Sequence, residues 1–226
     1  MTKLIVGSTA KVFENALLRY GFSPIFIPDF NGLSGAVTSH PDSLIYVLPS
    51  GELLTYGDYY RENEGFFSSL PFSFVLTDEE YGRLYPYDIL LNALPIDNYI
   101  VGRCDRISRY IMNGKAPLTV RQGYARCSSL AIGSSVITAD KGISSAMLSK
   151  GYDTLLIQPG HILLSGCDYG FIGGASFVHG KTVYFFGDIS LHPDYPAINN
   201  FLSERGYLQI SLSNQPMCDC GSAICM

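Results

Sequence analysis

Residues 220–226 read CGSAICM and residues 3–8 read KLIVGS, so a short apolar stretch stands near each end of this 226-residue chain. Together the two stretches have the pattern of one β-hairpin divided between the ends. If they pair, the last strand completes a unit that the first strand begins, and the chain closes into a ring without an exposed sheet edge. The rest of the sequence is then expected to hold further copies of that unit.

Five segments repeat a second pattern, in which the end of a predicted helix leads into a short apolar strand. They are YGFSPIFIP (20–28), LPFSFVLT (70–77), KAPLTVRQ (115–122), KGYDTLLIQP (150–159) and RGYLQISLS (205–213). Several hold Gly at the helix end, where its left-handed conformation carries no Cβ penalty. Such self-similarity is typical of a modular architecture.

Upstream of four of these helices lies a predicted hairpin. The four are TSHPDSLIYVLPSGELLTY (38–56), LLNALPIDNYIVG (90–102), ARCSSLAIGSSVITAD (125–140) and GGASFVHGKTVYFFGD (173–188). Their turns suit tight hairpins, and the divided hairpin makes a fifth. The sequence therefore predicts a single α/β-propeller domain, residues 1–226, of five β-β-α-β modules around a pseudo-fivefold axis. The alternative is an ordinary α/β sheet with coincidental spacing.

The amino-acid composition limits the classes of molecule that the chain is expected to bind. The chain is 47% hydrophobic and 15% charged, which favours a folded core over disorder. Its net charge of −5, without a Lys/Arg cluster, speaks against a nucleic-acid partner held by phosphate contacts. The N-terminal residues do not resemble a signal peptide, and no stretch reaches the roughly 20 apolar residues of a membrane helix. We therefore expect a cytoplasmic protein that does not bind membranes.

The six cysteines are expected to be free thiols in such a compartment. Cys218 and Cys220 have the spacing Cys-x-Cys, which is not the usual spacing of zinc ligands. We predict no metal. No glycine-rich phosphate motif is present, and we predict no cofactor.

Several stretches closely resemble an uncharacterised bacterial family assigned to the guanidino-group modifying enzyme fold, also called the pentein or α/β-propeller fold. They are SHPDSLIYVL, VRQGYARCSS, TADKGI, QPGHILL and DYGFIGGAS. The wider superfamily contains arginine and agmatine deiminases, dimethylarginine hydrolases and amidinotransferases, which use a cysteine nucleophile, a His-x-Asp motif and guanidinium-binding carboxylates. It also contains a non-catalytic translation initiation factor that binds the large ribosomal subunit. The resemblance thus implies the fold and leaves the function open.

Small and polar residues of the inner strands are expected to meet in the central channel. They are Ser39, His40, Asp42, Asn92, Cys127, Ser128, Ser129, Gly173, Gly174, Ser176, Asp219, Gly221 and Ser222. On a strand, His40 and Asp42 point to the same side, so that one can carry a proton and the other can bind a guanidinium. The alternative is a strand end with a Pro-Asp turn. The second copy of this tripeptide, residues 192–194, is predicted to begin a helix.

Two cysteines compete as the nucleophile. Cys225 stands near the superfamily's usual place, but the neighbouring terminal carboxylate raises the pKa of its thiol. Cys127 follows Arg126, and a nearby cation lowers the pKa of a thiol. Its alternative is a small buried hydrophobic residue. The superfamily's Gly-Gly-Asp is Gly-Gly-Ala at residues 173–175, so its carboxylate must come from elsewhere; Asp42, Asp168 and Asp219 are the candidates.

Two functions remain open. In the first, Cys127 attacks a small guanidino or amide-like substrate, His40 transfers protons, and Asp42 with Asn92 orients the substrate. Further substrate-binding candidates are Arg126, Ser128, His161, Asp168, Tyr169, Ser176 and Asp219, although His161 also suits a loop histidine bonded to the backbone. In the second, the same scaffold is non-catalytic and binds a small molecule in the channel or a protein partner at its mouth.

Overall fold

Five three-stranded sheets form the framework of the protein, in a computed structural model that describes residues 1–33 and 35–226. The strands are β1 (Thr2–Val6), β2 (Phe22–Phe26), β3 (Ile45–Val47), β4 (Leu53–Tyr56), β5 (Phe74–Thr77), β6 (Leu94–Ile96), β7 (Tyr99–Gly102), β8 (Ala116–Thr119), β9 (Ser129–Ile132), β10 (Ser135–Thr138), β11 (Asp153–Leu156), β12 (Ser176–His179), β13 (Thr182–Phe185), β14 (Leu208–Ser211) and β15 (Ala223–Cys225).

Short helices connect the second and third strands of the sheets or precede the first. The α-helices are α1 (Glu14–Arg19), α2 (Pro41–Leu44), α3 (Gly57–Glu62), α4 (Glu64–Ser68), α5 (Arg109–Met112), α6 (Lys141–Leu148) and α7 (Tyr195–Glu204), and 3₁₀ turns span Ser8–Phe13, Gly35–Ser39 and Ile189–Leu191. Across the described ranges, no helix has the length and apolar character needed to traverse a lipid bilayer.

Each sheet repeats one connectivity. In the sheet β3-β4-β5, the hairpin strands β3 and β4 are antiparallel, with Ile45 opposite Thr55. The chain then passes through α3 and α4 and returns as β5, which is parallel to β4 with Leu53 opposite Phe74. The other four sheets have the same order of one antiparallel and one parallel pair. The predicted β-β-α-β module is confirmed.

The divided module also forms as predicted. Strand β15 pairs antiparallel with β1, with Leu4 opposite Cys225 and Val6 opposite Ala223. Strand β2 pairs with the other side of β1 in parallel. Near this junction the rings of Phe22 and Phe177 meet edge to face at 5.3 Å, so apolar packing joins the sheet β15-β1-β2 to the sheet β12-β13-β14.

Hydrogen bonds close a circle through all five modules at the turns that precede their first strands. They run from Asn92 Nδ2 to Ser43 Oγ (3.0 Å), from Cys127 N to Asn92 Oδ1 (3.2 Å), from Gly174 N to Cys127 O (2.9 Å), from Ser222 N to Gly174 O (2.7 Å) and from Asp42 N to Gly221 O (3.1 Å). Buried backbone groups require such partners. The five turns therefore meet at the centre of the molecule.

The expectation that His40 and Asp42 lie on an inner strand is wrong. Pro41 occupies the first turn of α2, where its fixed φ favours a helix and its missing N–H costs nothing. The amides of Ser43 and Leu44 donate to His40 O, and the strand begins only at residue 45. Asn92 and Cys127 likewise lie in turns just before their strands.

Candidate active site

The thiol of Cys127 lies against a carboxylate from another module. Cys127 Sγ is 3.3 Å from Asp219 Oδ2 and 3.6 Å from Oδ1. His40 Nδ1, from a third module, is 3.8 Å from the same Oδ1. The exposed fractions are 3% for Cys127 and 1% for each of His40 and Asp219. A buried thiol, imidazole and carboxylate therefore share one point at the centre of the ring.

Asp42 is the fourth member of this group. One ligand atom from each of His40, Asp42 and Cys127 can be chosen so that all lie within 4.8 Å of one another. Asp42 Oδ2 and both ring nitrogens of His40 are buried without a hydrogen-bond partner among the described residues. Since buried polar atoms are normally paired, these atoms have unused capacity for a ligand.

Backbone amides hold Asp219 in place. Phe171 N donates to Oδ2 at 2.8 Å and Gly221 N donates to Oδ1 at 3.0 Å. Burial raises the pKa of the Asp219 carboxyl above its ordinary value; the neighbouring His40 and the two amides oppose this, and Asp42 adds to it. The carboxylate is thus fixed in position independently of the thiol.

The environment of Cys127 differs from the one expected. Burial, followed by the charges of Asp219 and Asp42, raises the pKa of its thiol well above the ordinary value. The predicted lowering by Arg126 does not occur, because Nη1 of that side chain turns away and donates to Ile45 O at 3.0 Å. At rest, Cys127 is a thiol that donates its proton to Asp219.

Asn92 holds the backbone of Cys127 in place through hydrogen bonds. Its Oδ1 accepts hydrogen bonds from the backbone amides of Arg126 (3.0 Å) and Cys127 (3.2 Å), and its Nδ2 donates to Ser43 Oγ. Ser43 in turn donates to Asp42 Oδ1 at 3.2 Å. Asn92 is fully buried. Its observed role is therefore to connect the Cys127 turn to the Asp42 turn.

Two glycines permit the close approach of these groups. A Cβ at Gly174 would overlap Asp219 Oδ1 and lie 2.6 Å from Cys127 Sγ. Gly221 has φ +73° and would place a Cβ against His40. Asp219 therefore brings its carboxylate next to the Gly-Gly-Ala segment, where the superfamily pattern carries its own Asp.

A cavity of about 450 Å³ opens above the thiol. Its lining residues are Gly35, Val37, His40, Asp88, Tyr124, Cys127, Leu164, Cys167, Asp168, Tyr169 and Phe171. The predicted rim residues Asp168 and Tyr169 are exposed at this cavity, so the structure brings them together with His40 and Cys127.

Sequence reasoning missed Asp88 and Tyr124. Tyr124 donates its hydroxyl hydrogen to Asp88 Oδ2, while Asp88 Oδ1 is buried without a partner among the described residues. Burial raises the pKa of the Asp88 carboxyl. The only signal in the sequence is an acidic residue directly before the apolar run ILLNAL, residues 89–94.

Other candidates lie outside the cavity. Arg126 and Ser176 line a separate recess of about 200 Å³, and Ser176 Oγ donates to Ile172 O. Ser128 is buried, and its hydroxyl has no hydrogen-bond partner in the part of the chain that the structure describes. His161 is exposed and meets the ring of His192 edge to face at 5.4 Å.

The two remaining sequence questions concern residues 192–194 and Cys225. Helix α7 begins after Asp194 as predicted, although the Asp194 carboxylate accepts hydrogen bonds from Gln158 instead of capping the helix. Cys225 lies on β15, where burial raises its pKa to about 11. Cys127 is therefore the thiol that the structure places beside His40.

Comparison with known proteins gives a family and a fold. The model of DUF6873, a family of unknown function, matches residues 4–224. No curated protein sequence shows significant similarity to the chain. Similar solved structures include an amidinotransferase of the saxitoxin biosynthetic pathway from Microseira wollei, with a TM-score of 0.54, 10% identity, and 94% of this chain and 77% of that chain covered.

Two further structures have the same fold. DDAH from Pseudomonas aeruginosa, complexed with citrulline, has a TM-score of 0.54 and 10% identity over 94% of this chain and 92% of that chain. Agmatine deiminase from C. jejuni has a TM-score of 0.54 and 9% identity over 99% and 92% of the two chains. The five-module pentein arrangement is thus confirmed; at these identities the likeness concerns the fold alone.

Proposed function

We propose that this chain, which belongs to the DUF6873 family of unknown function, catalyses thiol-dependent substitution at the central carbon of a small guanidinium or amidinium substrate. The observation that carries the proposal is the convergence of Cys127, His40, Asp42 and Asp219 in one buried group. Cys127 and His40 of this group line the cavity. A nucleophile, a proton carrier and carboxylates within reach of one another are the parts such a reaction needs.

The first step forms one bond and breaks one. Cys127 passes its proton to His40, and Sγ attacks the substrate carbon. The adduct then expels an amine, which takes the proton back from His40. Asp219, 3.8 Å from His40 Nδ1, stabilises the transient imidazolium.

The second step restores the thiol. A water molecule gives a proton to His40, its oxygen attacks the S-linked carbon, and the C–S bond breaks. Sulfur then recovers the proton from His40. An acceptor amine in place of water would make the same chemistry a group transfer, so the arrangement serves a hydrolase or a transferase.

Carboxylates account for the preference for a cation. Asp88 lines the cavity, and Asp42 is buried beside the lining residues His40 and Cys127. Asp88 Oδ1 and Asp42 Oδ2 have no hydrogen-bond partner among the described residues. A guanidinium or amidinium has N–H groups that such oxygens accept, in charge-assisted hydrogen bonds. The names of the similar structures, an amidinotransferase and an agmatine deiminase, support the same substrate class.

A matched pair of electrophiles tests the proposal. Chloroacetamidine and chloroacetamide have nearly the same shape, but only the amidine is cationic, and each alkylates a thiol with loss of chloride. With a chelator present, we expect the amidine to modify Cys127 at least about tenfold faster than the amide, the benefit of one charge-assisted hydrogen bond. Cys167, exposed on the same cavity, is the internal reference.

Equal preference at Cys127 and Cys167 would contradict the proposal and favour the non-catalytic binding scaffold. If Cys127 shows the preference, the next measurement is the turnover of guanidines and amidines, detected as release of ammonia or amine. Cys127→Ser should then remain folded and lose turnover.

A further inference from the structure

The buried group next to the cavity also has the composition of a metal centre. His40, Asp42 and Cys127 offer one nitrogen, one oxygen and one sulfur ligand, all three residues being at least nine-tenths buried. This donor set suits Zn²⁺, which binds thiolate, imidazole and carboxylate in tetrahedral sites. We infer that His40, Asp42 and Cys127 bind one Zn²⁺ ion.

The spacing is close to what one ion requires. Two ligands of a tetrahedral Zn²⁺ ion lie roughly 3.3–3.8 Å apart, given bond lengths of about 2.0–2.3 Å. The three ligand atoms lie within 4.8 Å of one another, so side-chain shifts of about 1 Å bring them onto one ion. Asp42 Oδ2 and the ring nitrogens of His40 have no hydrogen-bond partner among the described residues. The ion would give a partner to Asp42 Oδ2 and to one of the two nitrogens.

The surrounding residues have the outer-shell arrangement of a metal site. Metal-binding histidines usually present their second ring nitrogen to a carboxylate. Asp219 Oδ1 lies 3.8 Å from His40 Nδ1, so Asp219 would be that carboxylate if Nε2 binds the ion. Ser43 donates to Asp42 Oδ1, the oxygen not assigned to the ion, and Asn92 holds both Ser43 and the backbone of Cys127.

One coordination position faces the cavity. His40 and Cys127 both line it, so an ion can enter from that side and hold a water molecule as the fourth ligand. Zinc sites with three protein ligands keep such an open position. Ionised Asp42 and Cys127 together neutralise the two charges of the ion.

The inference goes beyond the proposed function because Zn²⁺ can bind these residues whether or not the protein converts a substrate. Zinc and the substrate compete for Cys127, because an ion bound to Sγ withdraws electron density from the thiolate and occupies space next to the attacking atom. Zinc should therefore protect Cys127 from alkylation.

Metal binding is tested on the full chain after removal of metals with a chelator. Titration with Zn²⁺ by calorimetry should give one ion per chain, and Co²⁺ should give the thiolate-to-metal charge-transfer absorption of a cysteine-bound ion. Asp42→Asn and Cys127→Ala should each lower the affinity for Zn²⁺ by more than about 100-fold, the upper range for outer-shell changes. Cys167→Ser should leave it unchanged.

Two results would overturn the inference. One is the absence of binding by wild type; the other is binding that survives Cys127→Ala and is lost in Cys218→Ser, which would place the ion at the Cys218–Cys220 pair. Wild-type protection of Cys127 from iodoacetamide by Zn²⁺ needs no variant, so misfolded variants do not decide the matter. The comparison of chloroacetamidine with chloroacetamide is made without metal. The proposed function and the zinc site can therefore be tested independently, and failure of one leaves the other testable.

Discussion

Cys127 Sγ lies 3.3 Å from Asp219 Oδ2 although 92 residues separate the two in sequence. The contact joins the third module to the fifth and is possible because Gly174, in the fourth, has no side chain. Reactivity and stability are therefore coupled at this point: groups that form the site also hold neighbouring modules together.

Replacing Gly174 by Ala should destabilise the protein strongly. The new Cβ would overlap the Asp219 carboxylate, and overpacking of a close-packed site typically costs about 1–3 kcal/mol or more. Urea unfolding measures the loss. Gly65→Ala, in helix α4 with open space around the new Cβ, is the control and should be neutral or stabilise by up to about 1 kcal/mol. Equal stability of the two variants would show that the contact is absent.

Removing the Asn92 side chain should disturb Cys127 as well as stability. Asn92→Ala leaves the amides of Arg126 and Cys127 without their shared acceptor, at about 1–3 kcal/mol for each buried unsatisfied group. The free energy of unfolding should fall, and the amidine preference of Cys127 should shrink. The control is Asn98→Ala, at an exposed position, which should change neither the free energy of unfolding nor the amidine preference. If Asn92→Ala also changes neither quantity, Asn92 does not position Cys127.

Asp88 should set the preference for a cationic ligand. Asp88→Asn keeps the size of the side chain and removes its charge, so the amidine-to-amide rate ratio at Cys127 should fall about 10-fold. Asp168→Asn, exposed on the same cavity, should have a smaller effect because water screens its charge. If the amidine-to-amide rate ratio falls only in the Asp168→Asn variant, the cation binds at the rim of the cavity and not at Asp88.

His192 should make the protein sensitive to mild acid. Burial lowers the pKa of His192 below the ordinary value of 6.5, and neutral Nδ1 accepts a hydrogen bond from Asp194 N. Below pH 6.5 the unfolded chain binds a proton that the folded protein resists, so this residue makes stability fall as pH falls. His192→Asn should flatten the change in unfolding free energy between about pH 7 and 5.

The control for that measurement is His179→Asn, at an exposed position, which should keep the wild-type slope. The Asp194 carboxyl does not interfere, because its pKa is lowered from 3.8 and it titrates below this range. An unchanged slope in the His192 variant would assign the acid sensitivity to other groups.

The ring could be predicted from sequence because its signals are local. Turn residues mark each hairpin, and the terminal strands carry the same apolar pattern, so the pairing of β15 with β1 followed. The site was predicted only as separate residues. Periodicity placed His40 on a strand, whereas Pro41 starts a helical turn there. The Cys127–Asp219 contact depends on how three modules pack, and Asp88 approaches the cavity from a long connection that has no repeat to mark it.

Pairing of β15 with β1 also has a consequence for the order of synthesis. A nascent chain that has reached β14 already contains Cys127, His40 and Asp42, but not Asp219 or the strand that closes the ring. Contacts between such distant segments form slowly. The thiol therefore acquires its carboxylate neighbour in the same event that completes the fold, which delays assembly of the reactive group until the protein can enclose it.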